Sequence, residues 1–132
     1  MVNELKKQLV ALLKRLGYNV GDGGQYKEEF PWLIVRTSGY NRAETYDLSL
    51  KTISLTIDIF SNYSGEREIL EIIENIGNNI AEMRDNNPAI LNIIQHQCRI
   101  IGDKSTGPVR KHGIITYTFD MAVGTKEDYD NE

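Results

Sequence analysis

Two aspartates, Asp58 and Asp120, are the residues whose type and setting could support chemistry. Each lies in a segment of alternating side chains, TISLTIDIF at 52–60 and HGIITYTFDMAV at 112–123. If these segments are neighbouring strands, the two carboxylates could approach each other and bind a metal ion or exchange a proton. The sequence places no histidine or third acid beside them, so we favour an ordinary solvated or interface pair. We therefore expect no enzymatic activity, no metal site and no cofactor.

The histidines, the single cysteine and a glycine-rich segment are weaker candidates. His112, in RKHG, would need an orienting acid and a nucleophile to act as a base, so a turn histidine is favoured. His96 alternates with isoleucines, which indicates a position at a sheet edge or in the core. Cys98 lies on the same side and is interpreted as a small buried thiol. The segment GDGG at 21–24 follows a helix and precedes an extended segment, which is the wrong order for a phosphate-binding loop.

Short hydroxyl side chains occupy the same strand face as each aspartate. Odd positions of 53–59 are isoleucine or leucine, whereas even positions of 52–58 are threonine, serine or aspartate. A period of two predicts a strand with one face in a core. The other face then includes Thr56, Asp58, Thr118 and Asp120. It could be a solvated face that uses threonine for its strand propensity, or a face covered by another subunit, where long side chains would not fit.

The elements that position these faces can be read from apolar spacing. A leucine stripe predicts a helix from Asn3 to about Leu16, ended by Gly17. A second helix, capped by Ser64, is predicted to run to about Asn86. The run WLIV at 32–35 is typical of a strand that is buried on both faces. We therefore predict an α+β fold in which two amphipathic helices pack on one face of a mainly antiparallel sheet of about four strands.

Length and charge indicate a single domain over residues 1–123, followed by an acidic, mobile tail at 124–132. The tail segment TKEDYDNE has one lysine against four acidic residues, so the rest of the chain is close to −1 of the formal charge of −4. Such a balance offers no basic surface for gripping a phosphate backbone. Neither the start MVNELKKQ nor any later stretch is apolar enough for a signal peptide or a membrane span, which leads us to expect a cytoplasmic protein.

The order and spacing of the segments resemble the tail-completion proteins of long-tailed bacteriophages, also called tail terminators or head–tail joining proteins. The resemblance spans about residues 3–123. It is carried by the N-terminal helix and by four quoted segments. These are FPWLIV, then LKTISLTIDIFSNYSG running directly into EREILEIIENIGNNI, and finally KHGIITYTFDMAV.

The resemblance implies a structural role without catalysis. Members of this family form a ring, commonly a hexamer, on the completed tail tube, and the ring stops polymerisation and joins the tail to the head. The implied partners are other copies of the chain, the tail tube protein and the head connector protein, while DNA passes through without specific binding. The implied location is the host cytoplasm during assembly and then the head–tail junction of the virion.

A heterologous ring contact needs two different patches on each subunit. Loop length and charge suggest a loop at 39–47 and a loop at 103–112, with the candidate residues Arg42, Glu44, Asp47, Asp103, Lys104, Arg110 and Lys111. The face with Thr56, Asp58, Thr118 and Asp120 would then meet a neighbour or line the opening, where an acidic lining would let DNA slide by repulsion. Two alternatives stay open: a small monomeric binding or regulatory module, and a metal-dependent enzyme that uses Asp58 and Asp120.

Overall fold

The alternating segments become the central strands of a mixed sheet in the computed structural model, which describes residues 2–21, 29–44, 49–103 and 107–122. The elements are α1 (Val2–Arg15), β1 (Asn19–Gly21), β2 (Trp32–Glu44), β3 (Ser49–Ser61), α2 (Arg67–Asn79), α3 (Glu82–Asn86), β4 (Ile90–Gln95), β5 (Arg99–Gly102) and β6 (Lys111–Ala122). The tail at 124–132 lies outside the described residues.

The sheet runs in the order β1-β2-β3-β6-β4, and β5 pairs with the same side of β6 as β4 does. Only β1 and β2 are parallel, and every other pair is antiparallel. Strands β3 and β6 pair along their whole length, from Leu50 opposite Ala122 to Ser61 opposite Lys111. The two hydroxyl-bearing segments are therefore direct neighbours at the centre of the sheet.

The prediction of about four strands is wrong, although the α+β class agrees with the structure. The described residues form six strands in one mixed sheet. Strand β1 has three residues and is too short to show a period of two. The segment after Pro88 forms two strands, β4 and β5. Gln95 pairs with Tyr117 and Arg99 with Ile114, so four steps along this segment correspond to only three steps along β6. Such an extra residue reverses the alternation of faces, so the single period-two pattern read from the sequence at 94–100 does not hold across it.

The core lies between the sheet and the helices. Both predicted apolar stripes face it, as do the odd-numbered residues of β3 and β6. The fully buried side chains are Leu5, Leu9, Leu13, Leu33, Ile53, Leu55, Ile57, Ile59, Ile69, Ile76, Ile115, Tyr117 and Phe119. Ile57 and Phe119 lie on the same side of the sheet, as the alternation predicts. Each such side chain contributes roughly 1.5–3 kcal/mol of burial free energy, so this one core holds the sheet and the helices together.

The helix ends agree only in part with the sequence patterns. Gly17 has φ 97° and its N–H donates to the Lys14 carbonyl at 3.0 Å, so it ends α1 as expected of a left-handed C-terminal residue. The cap predicted at Ser64 is wrong, because α2 begins at Arg67 and Glu66 precedes it without a side-chain capping bond. In the described part of the chain, no helix combines the length and apolar character needed to cross a bilayer.

Candidate functional site

The side of the sheet opposite the helices, here called the polar face, carries the residues singled out for chemistry. Its polar residues include Arg36, Thr52, Ser54, Thr56, Asp58, Arg99, His112, Thr116, Thr118 and Asp120. The apolar Trp32, Ile34, Phe60 and Ile114 lie on the same face at the end where Asp58 stands. None of the described helices packs on it, yet its centre is shielded: Thr56 is 1% exposed, Asp58 7% and Thr118 9%. These short side chains are buried against one another and against their longer neighbours.

Asp58 is held by two basic side chains at one end of the polar face. The Arg36 Nε–H donates to Asp58 Oδ2 at 2.7 Å, and His112 Nε2 lies 3.0 Å from Asp58 Oδ1. The His112 ring also stacks on Phe60, with ring centroids 4.5 Å apart and an angle of 19° between the planes. Both carboxylate oxygens are therefore occupied.

This setting fixes the ionisation state of Asp58. Burial by itself raises the pKa of Asp58, but the hydrogen bonds from His112 and Arg36 outweigh it and hold the pKa below its ordinary value. A carboxyl group with a lowered pKa is ionised near neutral pH and has no proton to donate. The ionised Asp58 therefore acts as the hydrogen-bond partner of Arg36 and His112, and this setting does not suit a general acid.

Cross-strand hydroxyl pairs continue along the polar face from this cluster. Each pair joins β3 to β6 by a hydrogen bond between two short side chains. The hydroxyl groups are therefore bonded across the strands rather than directed into solvent. The pairs are Thr56–Thr116 at 2.7 Å, Ser54–Thr118 at 3.0 Å and Thr52 donating to Asp120 Oδ1 at 3.2 Å. Cross-strand pairs of this kind contribute roughly 0.2–1 kcal/mol each. The hydroxyl residues therefore stabilise the pairing of the two strands.

The proposed pairing of Asp58 with Asp120 is wrong. Asp120 stands opposite Thr52 and Asp58 opposite Ile114, so the two carboxylates are separated by six positions along β3. At the rise of an antiparallel strand, six positions correspond to about 20 Å. The described residues contain no group of three or more histidine, cysteine or acidic side chains placed to bind a metal ion. Asp58 and Asp120 therefore do not form one carboxylate pair in the described structure.

His96, the residue directly after β4, contacts the hydroxyl pairs. Its Nε2 lies 2.6 Å from Thr118 Oγ1, which places the imidazole on the polar face and not among the core isoleucines. The bulge that follows β4 returns Ile100 and Cys98 to the helix side, where both are partly buried. Burial raises the pKa of the Cys98 thiol, and the nearby Glu66 adds to that rise, so the sulfur is held as the unreactive thiol.

The candidate interface residues fall at opposite ends of the sheet. Arg42 and Glu44 belong to β2, opposite Lys51 and Ser49, so the loop expected at 39–47 is strand as far as Glu44. Asp103, Arg110 and Lys111 lie at the other end, where β5 ends and β6 begins and where the Asp103 N–H donates to the Arg110 carbonyl at 2.9 Å. Asp47 and Lys104 lie outside the described residues.

Arg36 and His112 are the contacts of Asp58 that sequence reasoning missed, and the prediction of a turn histidine is wrong because His112 lies in β6. They lie 22 and 54 residues from Asp58 along the chain, and neither separation is a recognisable motif. The only local signal is that Trp32, Ile34 and Arg36 share one parity in β2 and therefore one face. Knowing the register of three strands would have been necessary to bring these side chains to one carboxylate.

Comparison of the chain with known proteins does not assign it to a family. No protein-family model matches the chain, and no curated protein matches it significantly.

Proposed function

We propose that the chain is a structural protein of a bacteriophage tail. In this role it forms a ring on the end of the tail tube, stops further polymerisation and joins the tail to the DNA-filled head. The resemblance in segment order over residues 3–123 supports the proposal. The structural observation that supports it best is the polar face, whose central side chains are short, hydrogen-bonded to one another and nearly inaccessible. Such a surface suits contact with a neighbouring subunit or a passage for DNA better than it suits catalysis.

The polar face is less acidic than the lining that was expected from the sequence. Asp58 is compensated by Arg36 and faces His112, so it presents no net negative charge to a passing strand. Asp120 accepts a hydrogen bond from Thr52 and is the remaining acid of the two. A face of nearly balanced charge neither grips phosphates nor strongly repels them, which fits transit of DNA without binding.

The partners and the location follow from this role. Other copies of the chain would complete the ring, commonly a hexamer, while the tail tube protein and the head connector protein would bind its two ends. The chain would be present in the host cytoplasm during assembly and at the head–tail junction in the finished virion. No membrane partner and no catalytic step are part of the proposal.

Electron microscopy of tail tubes tests the role directly. The purified chain would be added to a polymerising tail tube protein encoded beside it, with an unrelated protein of similar size as the control. We expect tubes of limited length with gold-labelled chain at one end, whereas control tubes should continue to grow. Unlabelled tubes of unlimited length in both samples would contradict the proposal.

The alternative of a small monomeric binding or regulatory module predicts a different result. Such a module would remain monomeric in light scattering at every concentration and would leave the length of the tubes unchanged. Because the tube experiment measures capping and light scattering measures mass, the two functions are distinguished by the same pair of measurements.

A further inference from the structure

Strand β4 lies at one side of the described sheet, and most of its residues are exposed. It pairs with β6, and no other described strand lies beside it. Four of its six residues are exposed, including the apolar Leu91 at 48% and Ile94 at 41%. The outer edge of a strand in this position presents backbone donors and acceptors that can pair with another chain.

Most of β4 lacks the features by which natural edge strands avoid such pairing. Those features are charged side chains, proline and β-bulges. The sequence ILNIIQ contains neither a charged residue nor proline. A bulge is present between Ile90 and Asn92, but the pairing with β6 is regular from Asn92 to Gln95. The second half of β4 is therefore an unprotected edge.

The peptide groups of Ile93 and Gln95 point outward from this edge. The His96 N–H donates inward to the Thr116 carbonyl at 2.9 Å. Inward and outward bonding alternates along an antiparallel strand, so Ile94 also bonds toward β6, whereas Ile93 and Gln95 bond away from it. The edge thus has one outward N–H and one outward C=O on each side of Ile94.

The exposed side chain of Ile94 lies midway between these outward groups, on the polar face. Ile94 stands opposite Thr118, whose hydroxyl bonds to Ser54 on that face. Paired residues place their side chains on the same side of a sheet, so the isoleucine is an apolar group at the border of a polar surface. An apolar neighbour would remove it from water.

The helix side of the same edge has an open recess. The side chains of Ile93 and Gln95 point to this side, because side chains alternate along a strand. A cavity of about 290 Å³ lies there, and its lining includes both residues together with Ile80 and Tyr117. Space for the side chains of a partner strand is therefore present on this side of the edge.

A second copy of the chain matches this edge in charge, apolarity and bonding. A charged peptide would find no opposite charge in ILNIIQ, whereas a second β4 is itself uncharged. The second copy also brings an apolar side chain, its own Ile94, to the apolar side chain of the first. Because the outward peptide groups flank Ile94 on both sides, the edge is self-complementary, as a two-fold contact requires.

We propose that β4 pairs in antiparallel fashion with β4 of a second copy, with the two Ile94 residues directly opposite each other. A two-fold axis perpendicular to the sheet would pass between them. Ile93 of each copy would then exchange both backbone hydrogen bonds with Gln95 of the other copy. The two sheets would join into one by β-strand addition, with both polar faces on the same side.

This contact goes beyond the proposed function and does not rest on it. A two-fold contact uses the same surface on both copies and is complete with two of them. A ring requires a heterologous contact between two different surfaces, so the ring contact must lie elsewhere on the chain. The inference therefore adds a second kind of association between copies.

Disulfide trapping tests the pairing. The variant carries Ile94→Cys in a Cys98→Ala background, and the full chain is oxidised with a mild reagent. Residues directly opposite in a pair that lacks backbone hydrogen bonds lie about 4.5 Å apart between Cα atoms, a separation that a disulfide can bridge. We expect a covalent dimer and no larger species on a non-reducing gel, and reduction should return it to the monomer.

Ile101→Cys in the same background is the matched control. Ile101 is 43% exposed and stands opposite His112, so it is an equally accessible residue on the same face. The proposed pairing places the two copies of Ile101 at opposite ends of the contact, so this variant should give little dimer. Equal yields from the two variants would overturn the proposal, as would absence of a dimer from Ile94→Cys.

A charge exchange at the same position gives a second test that does not depend on cysteine geometry. We expect Ile94→Lys and Ile94→Glu each to weaken dimerisation by about tenfold or more, because like charges directly opposite each other oppose strand pairing. Mixing the two variants should restore the dimer, since opposite charges then face each other. Leu70→Lys, at a position on α2 that is 50% exposed, should leave dimerisation unchanged.

Sedimentation equilibrium measures these dissociation constants. A mixture that associates no more strongly than either variant alone would contradict the Ile94 contact. The outcome is separate from that of the proposed function. A chain that caps tubes but gives no dimer through Ile94 would retain the function and refute the pairing, whereas a chain that gives the dimer and leaves tube length unchanged would do the reverse.

Discussion

At the scale of single residues, the best-defined arrangement is the Asp58 carboxylate with Arg36 and His112. The Asp58 side chain is only 10% exposed, whereas that of Arg36 is 52% exposed. A nearly buried carboxylate is stable only when hydrogen bonds replace its lost hydration. Arg36 and His112 supply those bonds, and the stacking on Phe60 fixes the imidazole in position.

Replacing Asp58 by asparagine should destabilise the fold at neutral pH by about 1–3 kcal/mol, because an amide turns an N–H group toward Arg36 or His112. The lowered pKa of Asp58 means that its contribution is present above the pKa of the unfolded chain and is lost as pH falls through the folded pKa. Urea unfolding should therefore show a difference between the wild type and the variant that narrows below about pH 4. A pH-independent difference would contradict the role of the charge.

The Thr56–Thr116 pair offers a test of the hydroxyl bonds. Thr56 is buried and Thr116 only half-buried, so Thr116→Val should cost more than Thr56→Val, because it leaves the buried hydroxyl without its partner. The double variant should cost less than the sum of the single changes, by roughly 0.5–1 kcal/mol. Thermal or urea unfolding of the four proteins measures this, and strict additivity would show that the 2.7 Å bond contributes no coupling.

At the scale of elements, the packing of α2 on the sheet depends on a glycine in β6. A Cβ atom added at Gly113 would lie 2.4 Å from Ile69 Cγ2, which is closer than two carbon atoms can approach. Ile69 is fully buried against the sheet and cannot swing away. The absence of a side chain at Gly113 is therefore what lets α2 lie close to β3 and β6.

Gly113→Ala should destabilise the protein by about 1–3 kcal/mol through overpacking. Gly65→Ala is the matched control, because a Cβ atom there meets no other atom within 4 Å. Denaturant unfolding should separate the two variants clearly. If the variant with alanine at position 113 were as stable as the wild type, helix α2 would have to shift without cost, contrary to the close packing of the core.

At the scale of the whole molecule, charge argues against nucleic-acid binding. The formal charge is −4, and without the acidic tail it is close to −1. Affinity for a phosphate backbone depends on the release of counterions by clustered lysine and arginine side chains. On the described polar face the carboxylates of Asp58 and Asp120 accompany Arg36, Arg99 and His112, so the basic side chains there are largely balanced by acids.

We expect no measurable binding of duplex DNA in a mobility-shift assay, even at low salt where electrostatic binding is strongest. Deleting residues 124–132 provides the control, since it removes the excess negative charge without adding a basic surface. The truncated chain should also leave the DNA unshifted. Binding that appears only after truncation would show that the tail screens a basic surface, contrary to this interpretation.

The amino-acid sequence alone predicted the faces of the elements. The leucine stripe of α1, the isoleucine stripe of α2 and the alternation of β3 and β6 all face the core as expected. These patterns are local, because a helix repeats every 3.6 residues and a strand every two, so a short window suffices to find them. Prediction weakened where the local signal was short or interrupted, as at β1 and at the bulge between β4 and β5.

Only the tertiary structure decided the register in which the strands pair, and that register determines which side chains form the candidate site. The sequence placed Asp58 and Asp120 on one face, but strand pairing separates them by six positions and gives Asp58 the side chains of Arg36 and His112 instead. Shifting a strand by two residues preserves every face and changes every neighbour, so the period of two cannot specify which side chains meet. Which strands lie at the centre of the described sheet and which at its sides is likewise decided by tertiary structure, because the strand order depends on contacts between residues far apart in the chain.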